Sequence, residues 1–176
     1  CDNTPATMLD PSTHYDMVRV GIGLYGLYPC DSSRSVIKLD PVMSVRARVT
    51  RTAHPAMGEG VSYGYTYRVP RTAVQICTLP IGYADGLSRT LSNRMEVLYR
   101  GERVRQVGNI CMDQCMVAIQ QTPIHQIPEA EYGDVMTIIG RDGDAEISAD
   151  EMARLRGTIN YEVVCDFGMR LDKVYL

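Results

Sequence analysis

Tyr63, inside Val61-Ser62-Tyr63-Gly64-Tyr65-Thr66-Tyr67, is the first residue of this chain whose setting could carry chemistry. A phenol acts as a general base only once its reference pKa of ~10 has been brought down by cationic neighbours. By residue type alone it is more simply an aromatic with a satisfied hydroxyl. Tyr83 stands in Ile81-Gly82-Tyr83-Ala84-Asp85-Gly86, where Asp85-Gly86 is turn chemistry. Met112 stands in Gly108-Asn109-Ile110-Cys111-Met112-Asp113-Gln114, and a methionine there is first of all a packing side chain. Arg19 is a permanent donor that never accepts. On its own it reads as half of an ion pair, with Asp16 the nearest candidate.

Two other patterns look chemical and fail on context. Gly21-Ile22-Gly23-Leu24-Tyr25-Gly26 fits G-x-G-x-x-G to the letter, but a dinucleotide fingerprint opens a helix. Here Leu27-Tyr28-Pro29 follows, so the glycines read as a close-packed strand end. Cys111 and Cys115 are spaced C-x3-C, and the three histidines, His14, His54 and His125, are scattered. A zinc site needs about four converging ligands, so no metal is expected. The six cysteines sit mostly in apolar runs, such as Ile76-Cys77-Thr78 and Val164-Cys165, which favours buried reduced thiols and a cytoplasmic setting.

The three stretches around Tyr63, Tyr83 and Met112, in this order, resemble the C-terminal half of the alanine racemases that depend on pyridoxal 5'-phosphate. The resemblance covers nearly the whole chain and is strongest over 15–28 and 61–119. It implies 1,1-proton transfer at Cα, interconverting L- and D-alanine between two bases. Tyr63 would be the base on the L face, and Tyr83 would line the substrate entrance. The Met112 backbone amide would meet the substrate carboxylate. Arg19 would donate to the pyridine nitrogen, keeping the ring a weaker electron sink that disfavours transamination. The Gly21 and Ile22 amides, Thr4 and Tyr161 would hold the phosphate. The family's Schiff-base lysine has no counterpart, since the lysines here are only Lys38 and Lys173. The chain alone is therefore expected to be inactive, a truncated part of a longer parent.

By the same resemblance the parent is a bacterial, cytoplasmic isomerase of D-alanine biosynthesis, the route to peptidoglycan precursors. It acts as a homodimer whose subunits share the active site. A membrane-tethered parent and a serine-preferring racemase are compatible readings, although Tyr161 leans towards alanine. The rival from another class is a non-catalytic β module for dimerisation or ligand binding.

The elements that must position these residues follow from patterning. The chain has 176 residues, with 45% hydrophobic and 22% charged, enough for an ordinary folded core. Its net charge of −3 offers no field for nucleic acid. Met17–Gly26 reads as a buried strand and loop, followed by a surface loop over 31–35. Period-2 alternation predicts a strand over 42–49, and apolar runs predict others over 74–79, 115–119 and 135–139. Arg100-Gly101-Glu102 joins two strands as a hairpin, and Glu131-Tyr132-Gly133-Asp134 is a turn. One helix is clear: Ser148 with Glu151 forms a capping box, and Gly157 stops it. Leu171–Leu176 is expected to close the domain as a strand. The fold class is a mainly β domain over 41–176, an antiparallel barrel or sandwich with one short helix. Residues 1–40 would be the last strand and loop of a truncated (β/α)8 barrel, as the resemblance implies.

Overall fold

A computed structural model describes residues 1–70, 73–120 and 127–176. His125, weighed above as a metal ligand, lies outside the described residues. The chain divides into two compact units, Cys1–Met43 and Ser44–Leu176.

In the first unit, α1 (Thr4–Leu9) begins at Asn3, whose side chain accepts from the Ala6 N–H, with Pro5 in the first turn. The expected strand over Met17–Gly26 is reduced to one parallel bridge, Asp2 to Val18. The Arg19 N–H donates to the Asp2 carbonyl at 2.5 Å. Ile22–Tyr25 instead forms a short 3-10 turn, closed by Gly26 in the left-handed region. Glycines at 21, 23 and 26 weaken an extended run but suit a tight turn. Residues Asp31–Ser35, expected as a loop, make another 3-10 turn with Ser33 buried.

The second unit is an antiparallel sheet that closes on itself. Its strands are β1 (Val45–Arg48), β2 (Arg51–Ala53), β3 (Gly60–Val61), β4 (Tyr67–Arg68) and β5 (Val74–Leu79). They continue as β6 (Glu96–Tyr99), β7 (Glu102–Val107), β8 (Cys115–Gln120), β9 (Val135–Asp142) and β10 (Ala145–Ile147). The closing sheet has the order β1-β9-β6-β7-β8-β5-β2, with β10 on β9, while β3 and β4 pair with each other in a separate two-stranded sheet. The two edges, β1 and β2, are halves of one segment bent at Val49-Thr50. The first half pairs with β9 and the second with β5, so a single strand joins the edges into a barrel. The β6–β7 hairpin turns on Arg100 and Gly101, at φ 52° and 81°, a two-residue turn whose twist matches its strands.

The strand Val74–Leu79 is apolar on both faces because both are covered. Cys77 and Leu79, with Cys115, Val117 and Ile119 of β8, have no more than traces of exposure and share one parity. The opposite parity, Val74, Ile76, Met116 and Ala118, packs under Val61, Val69 and Tyr67 of the β3–β4 hairpin. That hairpin is a flap on the outside of the barrel, and Tyr63 sits at its tip.

Helix α2 (Ala149–Arg156) starts as expected, with Ser148 Oγ accepting from the Glu151 N–H at 3.1 Å and Gly157 at φ 73°. The expectation of one short helix is corrected: α3 (Asn160–Asp166) follows at once. Its N-cap, Ile159, has no side-chain cap, so the usual start signal is missing. It is held instead by Asn160 Nδ2 on Asp150 Oδ1 at 2.7 Å and by Arg156 with Asp166 at 2.5 Å. The expected strand over Leu171–Leu176 is also corrected. Those residues form no strand, and Val174, Tyr175 and Leu176 are exposed. A barrel whose edges are joined by residues 45–53 offers a further strand no continuous edge.

Candidate functional site

Three loops of the second unit meet at one place, and the loop after β7 is their hub. Gly108, at φ 75°, lies so close to the flap that a Cβ would stand 2.8 Å from the Val61 carbonyl oxygen. Asn109 then bonds the flap in both directions. Its Nδ2 donates to the Tyr63 carbonyl at 2.7 Å, and its own carbonyl accepts from Ser62 Oγ at 2.6 Å. Ser62 Oγ also lies 3.5 Å from Cys111 Sγ.

The loop after β5 docks on the other side of the hub. Gly82 is extended and uses its missing side chain for contact: a Cβ would lie 2.2 Å from the Cys111 carbonyl oxygen. This approach lets the Tyr83 N–H reach the Cys111 carbonyl at 3.0 Å and the Ala84 N–H reach that of Met112 at 2.8 Å. Asp85, almost wholly buried, accepts from the Gly82 N–H at 2.8 Å and from Arg170 Nε at 2.8 Å. The C-terminal segment is thereby tied to this loop.

The result is a cluster of exposed side chains on fixed backbone. Tyr63 is 75% exposed, Met112 58% and Tyr83 45%. The Met112 N–H has no hydrogen-bond partner among the described residues. Tyr161 lies on α3, partly buried. Sequence reasoning missed the parts that assemble this cluster, namely Ser62, Asn109, Asp85 and Arg170. Only their position inside or beyond the three motifs could have pointed to them.

The remaining expected residues lie in the first unit. Thr4 is buried, and its Oγ1 accepts from the Gly21 N–H at 2.8 Å and the Gly23 N–H at 3.4 Å. The Ile22 N–H and the Thr4 hydroxyl proton have no partner among the described residues. These donors fit an anionic group such as a phosphate in part, because the Gly21 N–H is already engaged by Thr4. Arg19 is exposed, and among the described residues no salt bridge joins it to Asp16.

The cysteines correct one expectation. All six are unpaired, but only Cys77, Cys111 and Cys115 are buried, whereas Cys1, Cys30 and Cys165 are exposed. Val163 turns inward on α3 and Cys165 outward, a helical rather than strand alternation. Burial pushes the Cys77 and Cys115 thiols up to about 12. Hydrogen bonding from Ser32 lowers the Cys30 thiol below its ordinary value. Among the described residues no group of three or more His, Cys, Asp or Glu side chains could hold a metal, and no helix is long and apolar enough to cross a membrane.

Comparison with known proteins bears on the same residues. The family described as alanine racemase, C-terminal domain, matches residues 42–175. The alanine racemase of Nostoc sp. is 44% identical over 98% of this chain, and that of Desulfovibrio desulfuricans 45% identical over 100%. Among solved structures, alanine racemase of Clostridium difficile in complex with cycloserine superposes with a TM-score of 0.89 at 38% identity, covering 99% of this chain. Alanine racemase of Bacillus anthracis with bound L-Ala-P superposes with a TM-score of 0.86 at 40% identity, covering 95%. The chain spans 43% and 45% of the two curated relatives, and 44% and 42% of the two solved chains.

Proposed function

We propose, on the premise that this chain belongs to the alanine racemase family and carries its C-terminal domain, that it supplies the tyrosine half of a two-base racemase acting on alanine. The observation that carries the reading is the convergence of Tyr63, Tyr83 and the Met112 amide on one hub. Tyr63, as phenolate, takes the α-proton of the L substrate: the C–H bond breaks, an O–H bond forms, and the electron pair stays on the substrate. A lysine that this chain does not contain returns a proton to the opposite face. The reverse sequence converts D to L, with Tyr63 then the donor. The unpartnered Met112 N–H orients the substrate carboxylate, and Tyr83 narrows the approach.

Pyridoxal phosphate, when bound, delocalises the negative charge that deprotonation leaves at Cα. Thr4 and the Gly21 and Ile22 amides would hold its phosphate, the Gly21 amide by way of Thr4, whose Oγ1 already accepts from it, and Arg19 would donate to the pyridine nitrogen. Tyr161 would offer a further phenol donor for phosphate. The parallel bridge at Val18 supports reading residues 1–40 as the end of a (β/α)8 barrel, since such barrels pair their strands in parallel. The functional unit is a homodimer with Tyr63 working in the partner's site, which fits a base this exposed. Six unpaired thiols fit a cytoplasmic setting.

The test is racemisation of L-alanine and L-serine by the full-length protein and its Tyr63→Phe variant. The variant should lose about 100- to 10,000-fold in rate, with alanine the preferred substrate. The 176-residue chain with added cofactor should be inactive, and borohydride reduction should leave no stoichiometric adduct on Lys38 or Lys173. Wild-type rates in the Phe variant, or racemisation by this chain alone, would overturn the assignment.

A further inference from the structure

We infer that Asn109, together with Ser62, is a positioning residue that sets the aim of the Tyr63 phenol. The inference rests on the reading of Tyr63 as a base. The flap tip is conformationally expensive. Ser62, Gly64 and Tyr65 have φ of 64°, 73° and 47°, so three of the four residues 62–65 have positive φ, two of them with side chains. Burial does not hold this shape, because Tyr63 and Tyr65 are exposed. Hydrogen bonds do.

Asn109 Nδ2 donates to the carbonyl of Tyr63 itself, and Ser62 Oγ, one residue earlier, donates back to the Asn109 carbonyl. The far side of the tip is tied by Asn93, whose Nδ2 donates to Thr66 Oγ1 at 3.0 Å and whose Oδ1 accepts from the Gly108 N–H at 2.7 Å. Buried Gln106 anchors that arm, accepting from the Asn93 N–H and donating to the Gly108 carbonyl. The backbone peptide carrying Tyr63 is thus fixed to the same loop that presents the Met112 N–H. Base and carboxylate donor share one rigid reference, which is what a proton transfer needs. Without the clamp the strained tip can relax while the hydrophobic flap beneath it, built on Val61, Val69 and Tyr67, stays packed.

The experiment uses the full-length holoenzyme with Asn109→Asp, which keeps shape but loses the donor, and Ser62→Gly, which removes the hydroxyl while relieving the φ strain. Tyr63→Phe is the control. Turnover should fall about 10- to 100-fold in both variants with KM nearly unchanged. The α-deuterium isotope effect should rise with the L substrate, because proton removal by Tyr63 becomes rate-limiting. It should fall with the D substrate, where Tyr63 delivers the proton instead. Amide exchange in the 60–68 peptide should quicken in the absence of substrate, with the thermal midpoint held. Wild-type turnover and isotope effects in both variants, with Tyr63→Phe inactive, would overturn the positioning role and leave the base assignment standing. So would losses that track a lowered thermal midpoint with no opposed change in the two isotope effects. An active Tyr63→Phe enzyme would remove the premise as well.

Discussion

Gly82→Ala should separate a steric requirement from a conformational one. Gly82 has an extended backbone that any residue adopts, so alanine meets no dihedral penalty there. The new Cβ would instead stand 2.2 Å from the Cys111 carbonyl oxygen and 2.5 Å from that of Met112. Ordinary contact begins at 3.4 Å, so the two backbones must part by about 1.2 Å. That separation breaks the bonds from Tyr83 N–H and Ala84 N–H, now 3.0 and 2.8 Å. Two hydrogen bonds at ~1 kcal/mol each, plus ~1–3 kcal/mol of overpacking, make a loss of about 3–5 kcal/mol. For a domain of this size the thermal midpoint should drop by about 10 °C or more. Gly133→Ala is the comparison. It has φ 90° but no atom within 4 Å of the added Cβ, so it should cost only ~1–2 kcal/mol of backbone strain. The assay is denaturant unfolding of both variants beside the wild type. Equal losses, or a Gly82→Ala loss under about 1 kcal/mol, would refute the close approach of the two loops.

Thiol alkylation of the native chain should modify Cys1, Cys30 and Cys165 first, because they are exposed, and spare Cys77 and Cys115, whose thiols burial holds protonated. Mass mapping that finds Cys77 modified as fast as Cys165 would contradict the barrel interior. The Asp134 carboxyl is held below its ordinary 3.8 by the Glu131 N–H and then by the Tyr99 hydroxyl. Its folded pKa is therefore lower than its unfolded one. The stability it contributes is present above the unfolded value and lost as pH falls through the folded value. Asp134→Asn should flatten the acid limb of a stability–pH curve, and an unchanged limb would count against the Tyr99–Asp134 bond.

Much of this protein is legible in one dimension. The strands Val74–Leu79 and Cys115–Gln120, the Arg100-Gly101 hairpin and the capped helix Ala149–Arg156 depend on period, turn residues and caps within a few positions, and those expectations agree with the structure. Helix α3 was not legible, because its stabilising partners, Asp150 and Arg156, belong to the preceding helix rather than to its own start. The C-terminal strand failed for the converse reason. Leu171–Leu176 has apolar residues, but a strand exists only where a neighbour offers free backbone groups.

The same division runs through the candidate site. Sequence by itself singled out Tyr63, Tyr83 and Met112, because the motifs around them are contiguous and carry a family resemblance. Only the tertiary structure decided that they share one hub. Asn109 reaches Tyr63, Cys111 reaches Tyr83, and Arg170 reaches Asp85, across 46, 28 and 85 positions of chain. Hydrogen bonds and glycine-permitted backbone approaches between such distant segments leave no periodic trace, since their geometry is set by how the barrel closes and not by their neighbours in sequence.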